Sequence, residues 1–304
     1  MKCDKCGEKA VINMRQHKLA LCKDDYLRWV PEQVEKAIQK YKMFSHEDKV
    51  LVAVSGGKDS LSLWDILHRL DYQADGMYIG LGIDGGVSYS AESHRLAEAF
   101  AERHGLKLLV VDVPETYSAS IPELARRTHR GRGKPCSVCG LVKRHIMNQT
   151  AHEGGYSVLA TGHNLDDEVA VLFSNTLHWE GSYLVRQAPV LEADQAGLSR
   201  KVKPLCRMYE REMAAYAMLG GIEYIYDECP FAKGSTSISY KEILNQLEAG
   251  HPGAKLSFYL RFLQAKEAGF FSQQADTHFA ELHPCPTCGQ PTTAPGACSF
   301  CRMF

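Results

Sequence analysis

Six residues, Ser55 to Ser60 ("SGGKDS"), constrain this chain more than any others because of what flanks them. They follow "KVLVAV" at 49–54, an unbroken apolar run, and precede "LSLWDILHRL", which reads as a helix. An uninterrupted apolar strand is the pattern of a parallel sheet buried on both faces. Gly56 and Gly57 let backbone amides approach an anion closely, and the helix N-terminus adds N–H donors and partial positive charge. Lys58 supplies a point charge, and Ser55 and Ser60 supply hydroxyls. Asp59 is a carboxylate among phosphate-binding groups, so it is expected to help hold Mg²⁺ or to orient the loop. The spacing is neither GxxxxGK[ST] nor GxGxxG.

The same alternation continues along the chain. Further strands are predicted at 74–83, 106–113, 156–163 and 222–227. Helices are predicted over 88–104, 136–152, from "NLDDE" onward, over 209–219 and across 238–270, with a helix and connector at 31–46. Strands alternating with helices predict an α/β fold with a doubly wound, mostly parallel sheet. An apolar fraction of 45% in 304 residues is enough for a sizeable core. Three units are expected: an N-terminal zinc module at 1–30, a nucleotide-binding domain at 31–272 with a helical C-terminal part, and a zinc ribbon at 273–304. No apolar run approaches a membrane span, and "MKCDKCGEKA" lacks an apolar h-region, so a cytoplasmic protein is expected.

Cysteine spacing carries the next constraint. Ten of the 11 cysteines fall into three groups, and in a cytosolic chain CxxC pairs read first as metal or redox sites. Cys285, Cys288, Cys298 and Cys301 offer four thiolates, the donor set of a structural zinc ribbon. The segment holding them, 283–304, is too polar to fold without a metal. Cys3, Cys6 and Cys22 need a fourth zinc ligand, and both Asp25 and His17 qualify. Cys136, Cys139 and Cys229 are an odd set, with Cys206 left over. Cys136 and Cys139 lie on one face of a helix start, and Lys143 follows on that face. The three thiols could hold structural zinc with Cys206 or His145, act as bare thiols that carry a persulfide, or bind an iron–sulfur cluster.

The net charge is -1, yet residues 126–145 carry Arg126, Arg127, Arg130, Arg132, Lys134, Lys143 and Arg144 with no acid. That is a local cation source suited to a polyanion.

"SGGKDS" matches in full the SGGxDS fingerprint of the PP-loop ATP pyrophosphatases, which the chain resembles. With "PCSVCGLVKRH", "ATGHNLDDE", "DECP" and two terminal cysteine modules, nearly the whole chain resembles the TtuA/TtcA-type tRNA 2-thiolation enzymes, in the TtuA-like branch. The resemblance implies ATP bound at Ser55, Gly56, Gly57, Lys58, Asp59 and Ser60. Tyr78, Ile79, Gly80 and Gly162 are further nucleotide candidates, and His163 and Asn164 could line the same cleft. It implies a [4Fe–4S] cluster on Cys136, Cys139 and Cys229 with one iron left open. It implies a catalytic Lys143, and for Asp167 an acid/base or orienting role. Asp166 and Glu168 have an ordinary alternative as favourable charges in a helix's first turn. The implied reaction is adenylation of the C2 oxygen of a tRNA uridine, in the T-loop or at the wobble position, followed by sulfur insertion. Expected partners are tRNA and a sulfur donor, either a thiocarboxylated ubiquitin-like carrier or sulfide, with no membrane. Family members often pair, so a homodimer is expected. The rival readings are an amide-forming PP-loop ligase and a non-catalytic RNA-binding zinc protein.

Overall fold

The structure is a computed structural model, and it describes residues 1–304 apart from 85, 87, 133, 194–196, 233–235 and 272–281. The expected boundary at 272/273 lies outside the described residues.

The chain opens with an antiparallel hairpin, β1 (Ile12–Met14) and β2 (Leu19–Leu21), followed by α1 (Lys23–Lys40). This helix begins earlier than expected and runs through the 30/31 boundary with Pro31 inside it. A proline in a helix interior costs about 3 kcal/mol. Tyr26, Val30, Val34 and Ile38 recur every four residues and are all buried. At about 1.5–3 kcal/mol per buried side chain, that face outweighs the lost hydrogen bond.

The central domain follows as β3 (Val50–Val54), α2 (Lys58–Arg69), β4 (Ala74–Gly80), α3 (Tyr89–His104) and β5 (Leu108–Asp112). Next come α4 (Val113–Tyr117), α5 (Ile121–Arg127), α6 (Pro135–Glu153), β6 (Val158–Thr161), α7 (Leu165–Leu177) and α8 (Gly181–Arg186). The remainder is β7 (Val190–Leu191), β8 (Lys201–Val202), α9 (Glu210–Gly220), α10 (Thr236–Gly250), α11 (Ala254–Glu267) and a small hairpin, β9 (His283–Pro284) with β10 (Pro291–Thr292). The six-stranded sheet has the order β5-β4-β3-β6-β8-β7 and is parallel except for β7. Val50, Val52 and Val54 pack into one core cluster and Leu51 into another, so β3 is covered on both faces as its apolar run predicts. Among the described residues no helix is long and apolar enough to cross a membrane.

The predicted strand at 222–227 does not form. The edge of β6 is taken by β8, which in turn pairs with β7. The β-prone run "IEYIYD" instead crosses the phosphate loop, where the Ile225 N–H donates to the Gly56 carbonyl at 2.9 Å. Strand preference gave way to tertiary context. The helical stretch 238–270 is split in two at Gly253, whose φ is 95°.

Candidate active site

The loop between β3 and α2 is shaped by its neighbours. Gly56 has φ +73°, and a Cβ there would stand 2.4 Å from the Ser93 carbonyl oxygen. Across the sheet, a Cβ on Gly162 would meet the Ser60 backbone N at 2.9 Å. The Ser60 hydroxyl accepts from the Ser55 N–H at 3.0 Å and donates to the Gly57 carbonyl at 3.0 Å, which closes the turn. Above the carboxyl ends of the strands lies a cavity of about 330 Å³. Ser55, Gly57, Asp59 and Ser60 form its floor, Tyr78 and Ile79 one wall, and Gly162 and His163 another. Tyr89, Lys143 and Met147 line it as well.

Three of the expected nucleotide residues are not among the cavity's lining. Gly56 supports the turn from behind. Lys58 turns to Asp59 at 3.1 Å and Glu210 at 2.9 Å. Gly80 packs against β5, where a Cβ would meet Asp112 Oδ2 at 2.6 Å. The Tyr78 hydroxyl is committed to α3, donating to the Ser90 carbonyl at 2.8 Å.

Burial lifts the Asp59 carboxyl above its ordinary range, opposed by Lys58 and Asn164. Burial also works against the Lys58 ammonium, but Asp59 and Glu210 outweigh it and the net direction is up. Glu210 is driven the other way, to about 2: burial raises it, and Lys241 and Lys58 more than reverse that.

The first turn of α7 separates its acids by role. Asp166 is buried against Lys255 at 2.6 Å, and Glu168 is buried against Lys203 at 2.7 Å. Both are structural ion pairs. Asp167 forms a capping box with Asn164 and pairs with Lys241 at 2.6 Å. It is not among the residues lining the cavity, so its position here is that of a cap and a tethered charge. His163 faces the cavity with Nδ1 2.8 Å from Thr161 Oγ1.

Cys136 and Cys139 lie in the first turns of α6, and Cys229 is close enough to act on Cys139. Cys136 is exposed, while Cys139 and Cys229 are half-buried. Burial pushes the Cys139 thiol up, Lys143 opposes it, and Cys229 and Cys136 add to it, so all four groups share one field. Cys136 Sγ lies 3.5 Å from the Phe231 carbonyl. Neither alternative fourth ligand is near. Cys206 is fully buried in the opposite core cluster, and burial pushes it up to about 12. The His145 ring stacks on Phe300 at 3.7 Å.

Both terminal groups are compact. The ligand atoms of Cys285, Cys288, Cys298 and Cys301 lie within 4.8 Å of one another, as do those of Cys3, Cys6, Cys22 and Asp25. Asp25 Oδ2 is 3.1 Å from Cys3 Sγ and 3.3 Å from Cys22 Sγ. His17 points elsewhere, with Nε2 2.8 Å from Glu212 Oε1. The C-terminal module docks on α6 through Phe300 and through Gln290, which donates to the His145 carbonyl at 3.2 Å.

Residues 2–27 match the N-terminal LIM domain of 2-thiouridine synthetase TtuA, and residues 30–233 match the PP-loop domain family. The chain is 49% identical over 304 residues to the tRNA-5-methyluridine(54) 2-sulfurtransferase of Thermus thermophilus, covering 100% of this chain and 91% of that one. The Thermotoga maritima protein of the same description is 43% identical, covering 100% and 96%. The chain belongs to this tRNA 2-sulfurtransferase family. A solved structure of the U34-tRNA thiolase NcsA from Methanococcus maripaludis, with its [4Fe-4S] cluster, superposes with a TM-score of 0.76 at 23% identity, over 100% of this chain and 95% of that one. That likeness shows a shared fold.

In this member of the family, Arg126, Arg127, Arg130, Arg132, Lys134 and Arg144 are exposed, and none forms an ion pair among the described residues. Tyr89, Met147, Glu210 and Lys241 were not expected at the site. Glu210 and Lys241 lie outside every motif, and Glu210 reaches Lys58 across 152 positions of sequence, so no local signal could have found it.

Proposed function

We propose that this chain is a tRNA-5-methyluridine(54) 2-sulfurtransferase that activates its substrate with ATP. The observation that carries this reading is the shared cavity: the "SGGKDS" loop and Lys143 face the same space, and Lys143 is one helical turn from Cys139. ATP lays its phosphates on Ser55, Gly57 and Ser60 and its adenine beside Tyr78 and Ile79. Asp59 is the carboxylate nearest those phosphates and the candidate for Mg²⁺. The exposed arginines hold the tRNA backbone, which makes binding salt-dependent. The target base leaves its stack to reach the cavity. Its C2 oxygen attacks the α-phosphorus and pyrophosphate leaves. A sulfur nucleophile then adds at C2, and the former oxygen departs in AMP. Lys143 stabilises charge on the reacting oxygen, and Asp167, outside the cavity, acts at one remove by holding Asn164, which donates to Asp59. A thiocarboxylated ubiquitin-like carrier or sulfide is the sulfur source, and a cytoplasmic homodimer is the form expected to act.

Donor spacing supports two kinds of metal site. Thiolates bound to one zinc ion at ~2.3 Å crowd to about 3.8 Å from one another. In the terminal quartets Cys6 and Cys22 stand 3.6 Å apart, Cys285 and Cys301 3.9 Å, and Cys288 and Cys298 3.8 Å, which fits one Zn²⁺ each. Among the described residues Cys136, Cys139 and Cys229 do not form so compact a group. A cluster that bonds each thiolate to a different iron suits their wider spacing. When bound there through three thiolates, a [4Fe–4S] cluster supplies one open iron for incoming sulfur. Asp25→Ala is expected to lower zinc from about two to about one per chain, and His17→Ala to leave it unchanged. Metal analysis of both variants checks this, and the reverse pattern would move the ligand to His17.

The function is tested by anaerobic incubation of the reconstituted protein with tRNA, ATP, Mg²⁺ and sulfide. The expected result is AMP release matched by 2-thiolation at position 54, read by nucleoside mass spectrometry. Absence of both overturns the reading, and thiolation at the wobble position instead would reassign the substrate.

A further inference from the structure

Six residues at the phosphate loop form a closed ring, five through side chains alone and Asn164 through its side chain and its backbone N–H. Lys58 Nζ contacts Asp59 Oδ2 at 3.1 Å and Glu210 Oε1 at 2.9 Å. Glu210 Oε2 accepts from Lys241 Nζ at 3.0 Å, and Lys241 also meets Asp167 Oδ1 at 2.6 Å. Asp167 Oδ2 accepts from the Asn164 N–H at 3.0 Å. Asn164 Nδ2 donates to Asp59 Oδ1 at 3.1 Å, which closes the circuit. Each of the three carboxylates has its two oxygens held by two different neighbours. The ring joins the N-termini of α2, α7 and α9 to α10. The charged members are only 22–36% exposed, so solvent screens them incompletely. Three carboxylates face two ammoniums, which leaves one unbalanced negative charge beside the loop.

We infer that Glu210 and Lys241 are positioning residues: Lys241 fixes Asp167 and, through Glu210, sets how firmly Lys58 is held away from an incoming phosphate. The inference rests on the proposal that ATP binds at this loop. If Lys241 is removed, Asp59 and Glu210 have Lys58 as their one remaining ammonium in the ring, and Asp167 loses its ion-pair partner. Lys58 is then held more tightly, and the added negative charge opposes a polyanion. Removing the Glu210 charge as well relieves both effects.

The test is ATP affinity without tRNA, measured by calorimetry on the full chain. Lys241→Met is expected to weaken ATP binding by about tenfold, and Lys241→Arg to hold it within about twofold of wild type. The pair Lys241→Met with Glu210→Gln should return to within about twofold of wild type, a rescue that a merely structural role would not produce. Wild-type affinity in Lys241→Met, or a double variant weaker than the single, overturns the inference while leaving the nucleotide reading intact. A wild-type chain that binds no ATP removes that reading and the role of the ring with it.

Discussion

Cys136→Ala is expected to cut tRNA thiolation by at least about 100-fold while ATP affinity stays within about twofold of wild type. The physical basis is that the two functions share a field but not a surface. Cys136 is exposed at the start of α6 and is not among the residues lining the cavity. Its loss leaves two thiolates, too few to hold a cluster with a single open iron. Ser55, Gly57 and Ser60, the residues proposed to receive phosphate, are untouched. Zinc content should be unchanged, because both terminal quartets are complete without Cys136. Cys206→Ala is the matched control: Cys206 is buried in the other core cluster, so iron–sulfur absorbance should persist. Thiolation at wild-type rates in Cys136→Ala, or loss of absorbance in Cys206→Ala alone, would sink the cluster assignment.

Gly56→Ala is the second large effect. Its φ of +73° is a region that residues with a Cβ rarely adopt, and the new methyl would meet the Ser93 carbonyl oxygen at 2.4 Å and Ser93 Cα at 2.9 Å. Those atoms are backbone of α3, so they have little freedom to withdraw. Strain of this kind costs about 2–4 kcal/mol of stability. Moving the loop to relieve it would also displace the amides at Gly57, with ATP binding expected to fall by at least about 30-fold. Gly57→Ala provides the contrast. Its Cβ would meet only Ser55 Oγ, at 3.4 Å, an ordinary contact. Thermal melting should therefore separate the two, with Gly57→Ala close to wild type and Gly56→Ala well below it. Equal melting temperatures would show that the loop tolerates a side chain behind it.

Much of the site was readable because its signals are local. The order of apolar runs and helices identifies a parallel sheet, since a strand covered on both faces must be apolar throughout. Cys136, Cys139 and Lys143 share a helical face by periodicity alone. Chain-wide matches place the protein in its family without any coordinates.

Other features had no local trace. Asp25 and His17 were equal candidates until folding turned His17 to Glu212 and Asp25 to the cysteines. Cys206 looked available to the central thiols, but packing put it on the far side of the sheet. "IEYIYD" has strand composition, yet β8 takes the edge of β6. Lys58 is in the fingerprint, but its partner Glu210 is not. The amino-acid sequence by itself determined the alternation of most strands and helices, the four-thiol set of the C-terminal module and the family, because periodicity and spacing act over a few residues. Only the tertiary structure decided which distant groups meet, because edge pairing, burial and ion pairs depend on where packing brings them.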